Sequence, residues 1–165
     1  MKKLFSFTLV CLIVAGFFIY NSGYFTPVSS SNGCQVYFVD RQMHKLIPTF
    51  ISPEKTTEQT AEKIIYEIIS GRDNNSGILR IVPNIENSIS VKVSGEIAYV
   101  DISGTIIQNL NKSRDTETLF VYQIVNSLVS IEGIEYVSFT INGETGKDFL
   151  GFLDMRGLFT ADYDV

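Results

Sequence analysis

The sequence predicts an α+β fold, a two-layer sandwich in which a largely antiparallel sheet packs against two amphipathic helices, preceded by one N-terminal transmembrane helix. Three observations indicate this arrangement. An uncharged apolar run occupies residues 4–20. Two later stretches repeat apolar residues at the helical period. Several short runs alternate apolar and polar residues, as half-buried strands do.

The apolar run of about 17 residues is at the lower limit for a membrane-spanning helix and longer than the usual apolar core of a signal peptide. Lys2 and Lys3 precede it. The positive-inside tendency therefore keeps the N-terminus in the cytoplasm and the rest of the chain outside. A cleaved signal peptide is the alternative, but residues 21–23 offer a poor cleavage site because small residues are not suitably paired there. We predict an uncleaved single-pass anchor in the cell membrane.

Three parts are predicted along the chain: an anchor at residues 1–20, a flexible tether at 21–34 and a single domain at 35–165. The tether is rich in Ser, Gly and Asn and lacks apolar periodicity. Without Lys2 and Lys3, the 13 basic residues become 11 against 18 acidic ones, a net charge of −7. A surface of that sign disfavours nucleic acid and anionic lipid head groups as partners.

Six short runs are predicted to be strands. Pro48 lies in the second run and has no backbone donor, which predicts a sheet edge. Gly95 lies in the turn between the fourth and fifth runs, which are predicted to form a hairpin. The six runs cover residues 35–40, 46–51, 78–83, 89–93, 97–102 and 136–142.

The first predicted helix has sequence signals at both ends. Thr56 and Gln59 fit a capping box before it, and Gly71 suits the left-handed residue that follows the last turn. Its apolar residues recur at the spacing of one helical face. They are Ala61, Ile64, Ile65, Ile68 and Ile69.

The second predicted helix begins near Ser113 and ends at Gly133. Asp115 and Glu117 lie in its first turn, where negative charge is favourable toward the positive end of the helix dipole. Four apolar residues are predicted to form its buried stripe. They are Val121, Ile124, Val125 and Leu128.

Three segments carry a family resemblance: GEIAYVDIS at 95–103, YQIVNSL at 122–128 and VSFTING at 137–143. In their order and spacing they resemble the GerMN domain, a small bacterial extracytoplasmic module of sporulation and spore germination proteins. The resemblance extends over residues 36–159. Two positions depart from the family pattern: Arg72 stands where proline is common, and Asn84 stands where a Gly-Thr turn begins.

The resemblance implies a non-catalytic, membrane-anchored extracytoplasmic protein with a binding or assembly role in sporulation, germination or the cell envelope. The implied partners are the membrane, through residues 4–20, and another envelope or sporulation protein, with self-association as a further option. Two alternatives stay open: an envelope enzyme of the peptidoglycan-hydrolase type, and a module that binds a small ligand or a glycan. No catalytic residues transfer from the family.

The residues themselves predict no catalytic, cofactor or metal site. A triad of His44, Ser103 and either Asp101 or Asp40 can be written, but Ser103 lacks the G-x-S-x-G context of a nucleophile elbow. Residues 143–148 superficially suggest a phosphate loop, yet the spacing is too short and an aspartate replaces the Ser/Thr that binds magnesium. A single histidine and one cysteine beyond the anchor supply too few metal ligands.

Two further features each have two interpretations. Cys34 follows no lipoprotein motif and is either a lone small residue or a thiol that pairs between chains. An apolar segment after the last strand either folds back over the sheet or forms an exposed patch for a partner. Its apolar residues are Phe149, Leu150, Phe152, Leu153, Leu158 and Phe159.

Overall fold

The computed structural model describes residues 33–71, 77–146 and 148–165. Within those ranges the secondary structure comprises six strands and three helices. In chain order they are β1 (Cys34–Asp40), β2 (Leu46–Ile51), α1 (Thr57–Ser70), β3 (Ile78–Leu79), β4 (Ile89–Ser94), β5 (Ile97–Ile102), α2 (Gly104–Asn109), α3 (Arg114–Val129) and β6 (Tyr136–Ile141). The α+β class is confirmed.

The strands form two sheets, so the prediction of a single sheet was wrong. The N-terminal sheet has the order β2-β1-β3, and the C-terminal sheet has the order β4-β5-β6. Three of the four strand pairs are antiparallel, and β5 pairs with β6 in parallel. A parallel pair needs a long crossover, which α2 and α3 supply between β5 and β6.

Hydroxyl groups at the C-terminal end of α3, on Ser127 and on the cap residue Ser130, occupy part of one edge of the N-terminal sheet. On the β1 edge away from β2, the Ser130 hydroxyl accepts from the Gln35 N–H at 2.8 Å and donates to the Gln35 carbonyl at 2.9 Å. The Ser127 hydroxyl accepts from the Tyr37 N–H at 2.8 Å. These side chains satisfy backbone groups that a further strand would otherwise pair with. Only two residues of β3 pair along that edge, rather than the predicted strand 78–83.

The position of Pro48 confirms the predicted sheet edge. Pro48 lies opposite Tyr37 in the antiparallel register. Because the Tyr37 N–H is directed away from β2 to Ser127, this pair exchanges no backbone hydrogen bonds across the two strands. The missing donor of the proline therefore faces the outer side of β2, where it leaves no ladder bond unmade.

Local capping signals fixed the helix starts. The Thr56 hydroxyl accepts from the Gln59 N–H before α1, and the Ser113 hydroxyl accepts from the Thr116 N–H before α3. Gly71 follows α1 with φ 67°. The prediction that α3 ends at Gly133 was wrong, since Ser130 already caps it. Helix α2 was not predicted, because it is short and buries only Ile106.

Residues Gly33–Val165 form one compact unit. Helix α3 packs on β1 and β6, while α1 packs on β4, β1 and α3. The four residues of the predicted α3 stripe are all buried. The same helix also buries polar side chains that the periodicity did not predict: Glu117, Gln123, Asn126 and Ser127.

Glu117 anchors the end of the chain, which we call the C-terminal strap (residues 148–165). Its fully buried carboxylate accepts four consecutive backbone N–H groups. Oε1 accepts at 2.7 and 3.2 Å and Oε2 at 2.7 and 3.0 Å, from Leu150, Gly151, Phe152 and Leu153. Gly151 has φ 95°, a conformation that glycine adopts without strain and that turns successive N–H groups toward one anion.

The rest of the strap covers the domain. Phe149 stacks on Phe120 with ring centroids 4.7 Å apart. Phe159 exchanges two backbone hydrogen bonds with Val137, at 2.9 and 2.8 Å, and its ring packs edge-on against Phe139. Phe152 and Leu158 are exposed. The fold-back interpretation is thus confirmed for part of the apolar segment, and the remainder is available at the surface.

The predicted transmembrane span at residues 4–20 lies outside the described residues. In the part of the chain that the structure describes, none of the helices has both the length and the apolar character needed to cross a membrane.

Candidate functional site

Asp40 and His44, two of the residues considered for a triad, are joined by a hydrogen bond within the β1–β2 loop. The Asp40 carboxylate accepts the backbone N–H of His44 at 2.6 Å and that of Lys45 at 3.2 Å. Burial alone would raise the pKa of this carboxyl, but the two N–H groups and the nearby positive charge lower it below its ordinary value. Asp40 therefore acts as a turn residue that holds its own loop.

Ser103 and Asp101 are also engaged locally. The Ser103 hydroxyl lies 2.8 Å from the Thr105 hydroxyl and accepts the Thr105 N–H as the N-cap of α2. The Asp101 carboxylate accepts the Thr140 hydroxyl at 2.6 Å and the Gly143 N–H at 2.7 Å. A nucleophilic serine needs a base within hydrogen-bond reach, and no described hydrogen bond of Ser103 involves a base.

These contacts form what we call the β5–β6 end cluster: Asp101, Gly104, Thr140, Asn142 and Gly143. Asn142 follows β6 with φ 52° and accepts the Gly104 N–H at 2.9 Å. A Cβ added at Gly104 would lie 2.9 Å from the Asn142 amide nitrogen, so the approach is close. The cluster joins the carboxyl ends of two parallel strands. Asp101 belongs to the segment 95–103, and Thr140, Asn142 and Gly143 belong to the segment 137–143.

The loop after β6 is a turn rather than a phosphate loop. The Ile141 and Glu144 backbones exchange hydrogen bonds at 3.0 and 3.1 Å. The Gly143 N–H, which a phosphate would need, is already bonded to Asp101. Among the described residues, no group of three or more His, Cys, Asp or Glu side chains could hold a metal ion.

One face of the C-terminal sheet is buried, and the side chains of the other face are exposed or half-buried. Along β4, β5 and β6 the burial of side chains alternates, with the buried positions toward the core. The register aligns the other positions in three rows. We call these residues the open face: Ser94, Ile97 and Tyr136 in the first row, Lys92, Tyr99 and Ser138 in the second, and Ser90, Asp101 and Thr140 in the third.

The open face combines exposed side chains with half-buried ones. Tyr99 lies at its centre, between Lys92 and Ser138, and is 45% exposed. Lys92 and Asp101 are the charged residues of the nine, so their charges cancel. The alternation of apolar and polar residues is visible in the sequence of each strand. The alignment of the three strands is not, because register depends on tertiary pairing.

A second surface is a groove of about 550 Å³ beside α1, lined by Glu54, Lys55, Gln59, Glu62, Lys63 and Tyr66. Two of the lining residues form an ion pair, in which Lys63 Nζ lies 2.6 Å from Glu54 Oε1. Both side chains are partly exposed, so water screens the pair and its effect on stability is small. The groove presents mixed charges and a single exposed ring, Tyr66, without convergent polar groups.

Cys34 is 5% exposed on β1. Burial raises the pKa of its thiol, an effect that the positive charge of Lys63 partly opposes. Because the thiolate is the nucleophile in disulfide exchange, burial and a raised pKa both suppress pairing between chains.

We therefore expect Cys34 to resist modification in the folded protein. In a Cys11→Ser background it is the sole thiol. Ellman's reagent at pH 8 should label it at least about 100-fold more slowly than in urea, since labelling needs local or global opening. Rapid labelling of the native protein, or a disulfide-linked dimer on non-reducing gels, would contradict this prediction.

Comparisons with known proteins agree with this fold. Residues 35–147 match the protein family Germane, described as "Sporulation and spore germination". A comparison with curated protein sequences gave no match. A candidate lipoprotein from Clostridium perfringens is similar in structure, with a TM-score of 0.57 and 19% identity over 78% of this chain and 86% of that one.

Two structures from Bacillus subtilis are also similar. The first GerMN domain of the sporulation protein GerM gives a TM-score of 0.54 and 20% identity, over 68% of this chain and 84% of that one. The tandem GerMN domains of GerM give 0.53 and 18%, over 68% and 39%. At these identities the structural similarity bears on the fold.

Proposed function

The chain belongs to the Germane family of sporulation and spore germination domains, and from that premise we propose that it is a non-catalytic, membrane-anchored domain outside the cell membrane. Its role is to bind another protein of the cell envelope or of the developing spore. The observation that carries the proposal is the family match over residues 35–147, which includes the β5–β6 end cluster.

Two further observations support this proposal. The polar residues considered for catalysis, Asp40, Asp101 and Ser103, each hold local backbone or hydroxyl groups. The apolar run at residues 4–20 with Lys2 and Lys3 before it favours an anchor whose following domain lies outside. The similar Clostridium perfringens protein is described as a candidate lipoprotein.

The proposal is tested in cells by cross-linking and by protease access. Full-length protein should stay with membranes through salt and alkaline washing, and protease added to intact protoplasts should digest the domain. Cross-linking in sporulating cells should yield a defined higher-mass product that contains a second envelope protein. Protection of the domain in protoplasts would contradict the predicted topology, and recovery of a solitary monomer in both sporulating and growing cells would contradict the binding role.

A further inference from the structure

We propose that the outer edge of β4 binds an extended segment of another envelope protein, which joins the C-terminal sheet as a further strand. This inference rests on the proposed function, which supplies a protein partner, and it names the surface and the conformation that the partner uses. Among the described residues, the other strand edges are blocked, covered or very short, whereas the edge of β4 is unpaired.

The hydrogen bonds of the β4–β5 hairpin determine which backbone groups of β4 point outward. The Ser103 N–H donates to the Ser88 carbonyl at 2.8 Å, so these two residues form a hydrogen-bonded pair that continues the β4–β5 register. Hydrogen-bonded and non-hydrogen-bonded pairs alternate along an antiparallel ladder. The N–H and C=O groups of Ile89, Val91 and Val93 are therefore directed away from β5. Within the described residues, no hydrogen bond involves these outward groups.

The edges of the N-terminal sheet are blocked or very short. On β2, Pro48 has no backbone donor, and the Leu46 N–H is bonded to the Val165 carbonyl at 3.3 Å. At the opposite edge, β3 has only two residues, and the hydroxyls of Ser127 and Ser130 occupy the adjoining part of β1. Proline, short strands and covering segments prevent a sheet edge from pairing with another chain.

The C-terminal sheet is protected at β6 but not at β4. Val137 of β6 exchanges two backbone hydrogen bonds with Phe159 of the strap, and Ile141 exchanges two with Glu144. Strand β4 has six residues and no proline, and Lys92 is its charged residue. A lysine disfavours a basic neighbouring strand and favours an acidic one, so it selects among segments without closing the edge.

The side chains of β4 specify the sequence pattern of the segment. Ile89 and Val91 face the core, whereas Ser90, Lys92 and Ser94 are exposed. A strand added beside β4 must follow the same alternation, because successive side chains of a strand point to opposite faces. The segment therefore has apolar residues on the core side and polar residues on the exposed side. An acidic residue is favoured opposite Lys92.

Size and charge argue against a second copy as the occupant. The six residues of β4 make an edge about 20 Å long, whereas a stable interface between two folded proteins buries about 800 Å² on each partner. Without Lys2 and Lys3, each copy has 13 − 2 = 11 basic residues against 18 acidic ones, a net charge of −7, so two copies repel each other. A flexible segment avoids the size requirement, because its main chain supplies the hydrogen bonds.

Amide hydrogen exchange of the full-length protein in mild detergent tests whether the edge is open. The N–H groups of Val91 and Val93 should exchange at least about 100-fold faster than those of Ser90 and Lys92, which are bonded to β5. Slow exchange of Val91 and Val93 in the free protein would show that the edge is covered, and would overturn the inference.

Binding is tested with a fluorescein-labelled peptide amide, Thr-Val-Glu-Val-Thr-Val, which has the required alternation. Fluorescence anisotropy should show saturable binding, and the bound peptide should slow the exchange of the Val91 and Val93 N–H groups. A peptide of the same composition in the order Val-Val-Val-Thr-Thr-Glu should bind at least about 10-fold more weakly, because it cannot place its apolar residues on one face.

Val93→Pro removes an outward donor and leaves the β4–β5 ladder intact, as Pro48 does on β2. It should weaken binding of the alternating peptide at least about 10-fold. Phe50→Pro is the matched control, because the Phe50 N–H points outward on β2 in the same way, and it should bind the peptide as wild type does. Circular dichroism checks that each variant keeps its fold.

Lys92→Glu gives a second variant that leaves the backbone unchanged. It should weaken binding of the alternating peptide about 3-fold or more, because two like charges then lie on neighbouring strands. Thr-Val-Lys-Val-Thr-Val, in which lysine replaces the glutamate, should show the opposite preference and bind Lys92→Glu more tightly than wild type. Equal binding of both peptides to both proteins would contradict pairing beside Lys92.

Three other outcomes overturn the inference: absence of peptide binding, equal binding by Val93→Pro and Phe50→Pro, or a wild-type dimer that Val93→Pro abolishes, since the edge would then pair with a second copy. If the peptide does not bind but the envelope cross-link persists, the proposed function stands without this inference. If the peptide binds as expected but no envelope cross-link forms in cells, the edge is a strand-binding site and the proposed envelope role is wrong.

Discussion

The Glu117→Gln protein is expected to lose about 3–5 kcal/mol of its free energy of unfolding, because a buried carboxylate that accepts four backbone N–H groups is replaced by an amide. The glutamine oxygen can still accept two of the N–H groups from residues 150–153. Its NH2 group then faces the other two donors, which lose their acceptor. Folded domains have only about 5–15 kcal/mol in total, so this is a large fraction.

The measurement is urea unfolding of full-length protein in detergent, followed by far-UV circular dichroism since the chain has no tryptophan. The expected loss corresponds to a fall in Tm of roughly 10–20 °C for a domain of this size. Glu117 holds the C-terminal strap, so its replacement should loosen the strap. Trypsin should therefore cleave after the exposed Arg156 faster in the variant than in wild type.

Asp115→Asn is the matched control. Asp115 lies in the same first turn of α3 but is exposed, and its replacement removes the same charge from the positive end of the helix dipole. That change should cost about 0.3–1 kcal/mol. If Glu117→Gln costs no more than Asp115→Asn, Glu117 acts only on the dipole and the strap does not depend on it.

Glu117 also shows where sequence reasoning ended. The sequence predicts that Glu117, in the first turn of the helix, is stabilised by the positive end of the helix dipole. That interaction does not explain why its side chain is buried. Glu117 precedes Val121 by four residues and Ile124 by seven, so it falls on the predicted apolar stripe. An acidic residue on such a stripe must find a buried partner. Its partners are backbone groups more than 30 residues later, at 150–153, and no local pattern names them.

The sequence predicted correctly those features that depend on hydrogen bonds between neighbouring residues, such as helix caps. Thr56 and Ser113 cap their helices as predicted, and β2 and β5 have their predicted bounds. The order strand, helix, strand over residues 97–141 also implied a parallel pair, since a helical crossover reverses the chain direction twice.

The division into two sheets had no comparable signal. It depends on Ser127 and Ser130, whose hydroxyls bond to the backbone of a strand about 90 residues earlier in the chain. Both hydroxyls also donate to carbonyls of the preceding turn, as serine in a helix ordinarily does, so nothing local in the sequence indicates their bonds to β1. The open face was likewise not predictable from the sequence. The polar positions of each strand can be read from the alternation, but which of them are neighbours depends on the register of the three strands.

The strap gives the last prediction, a comparison of two phenylalanines three residues apart. Phe149 is 4% exposed and stacks on Phe120, whereas Phe152 is 45% exposed. Phe149→Ala removes a buried ring and leaves a cavity, so it should lower the free energy of unfolding by about 3–5 kcal/mol. Phe152→Ala keeps the backbone N–H that Glu117 binds and should cost less than about 1 kcal/mol.

The pair separates the two interpretations of the apolar segment, because both variants remove the same ring from the same strap. Urea unfolding of each variant should give a difference of at least about 2 kcal/mol between them, in line with the loss of a large buried side chain. Equal losses would mean that the strap does not bury Phe149 in solution. A neutral Phe152→Ala, by contrast, indicates that this ring lies at the surface and does not contribute to the core.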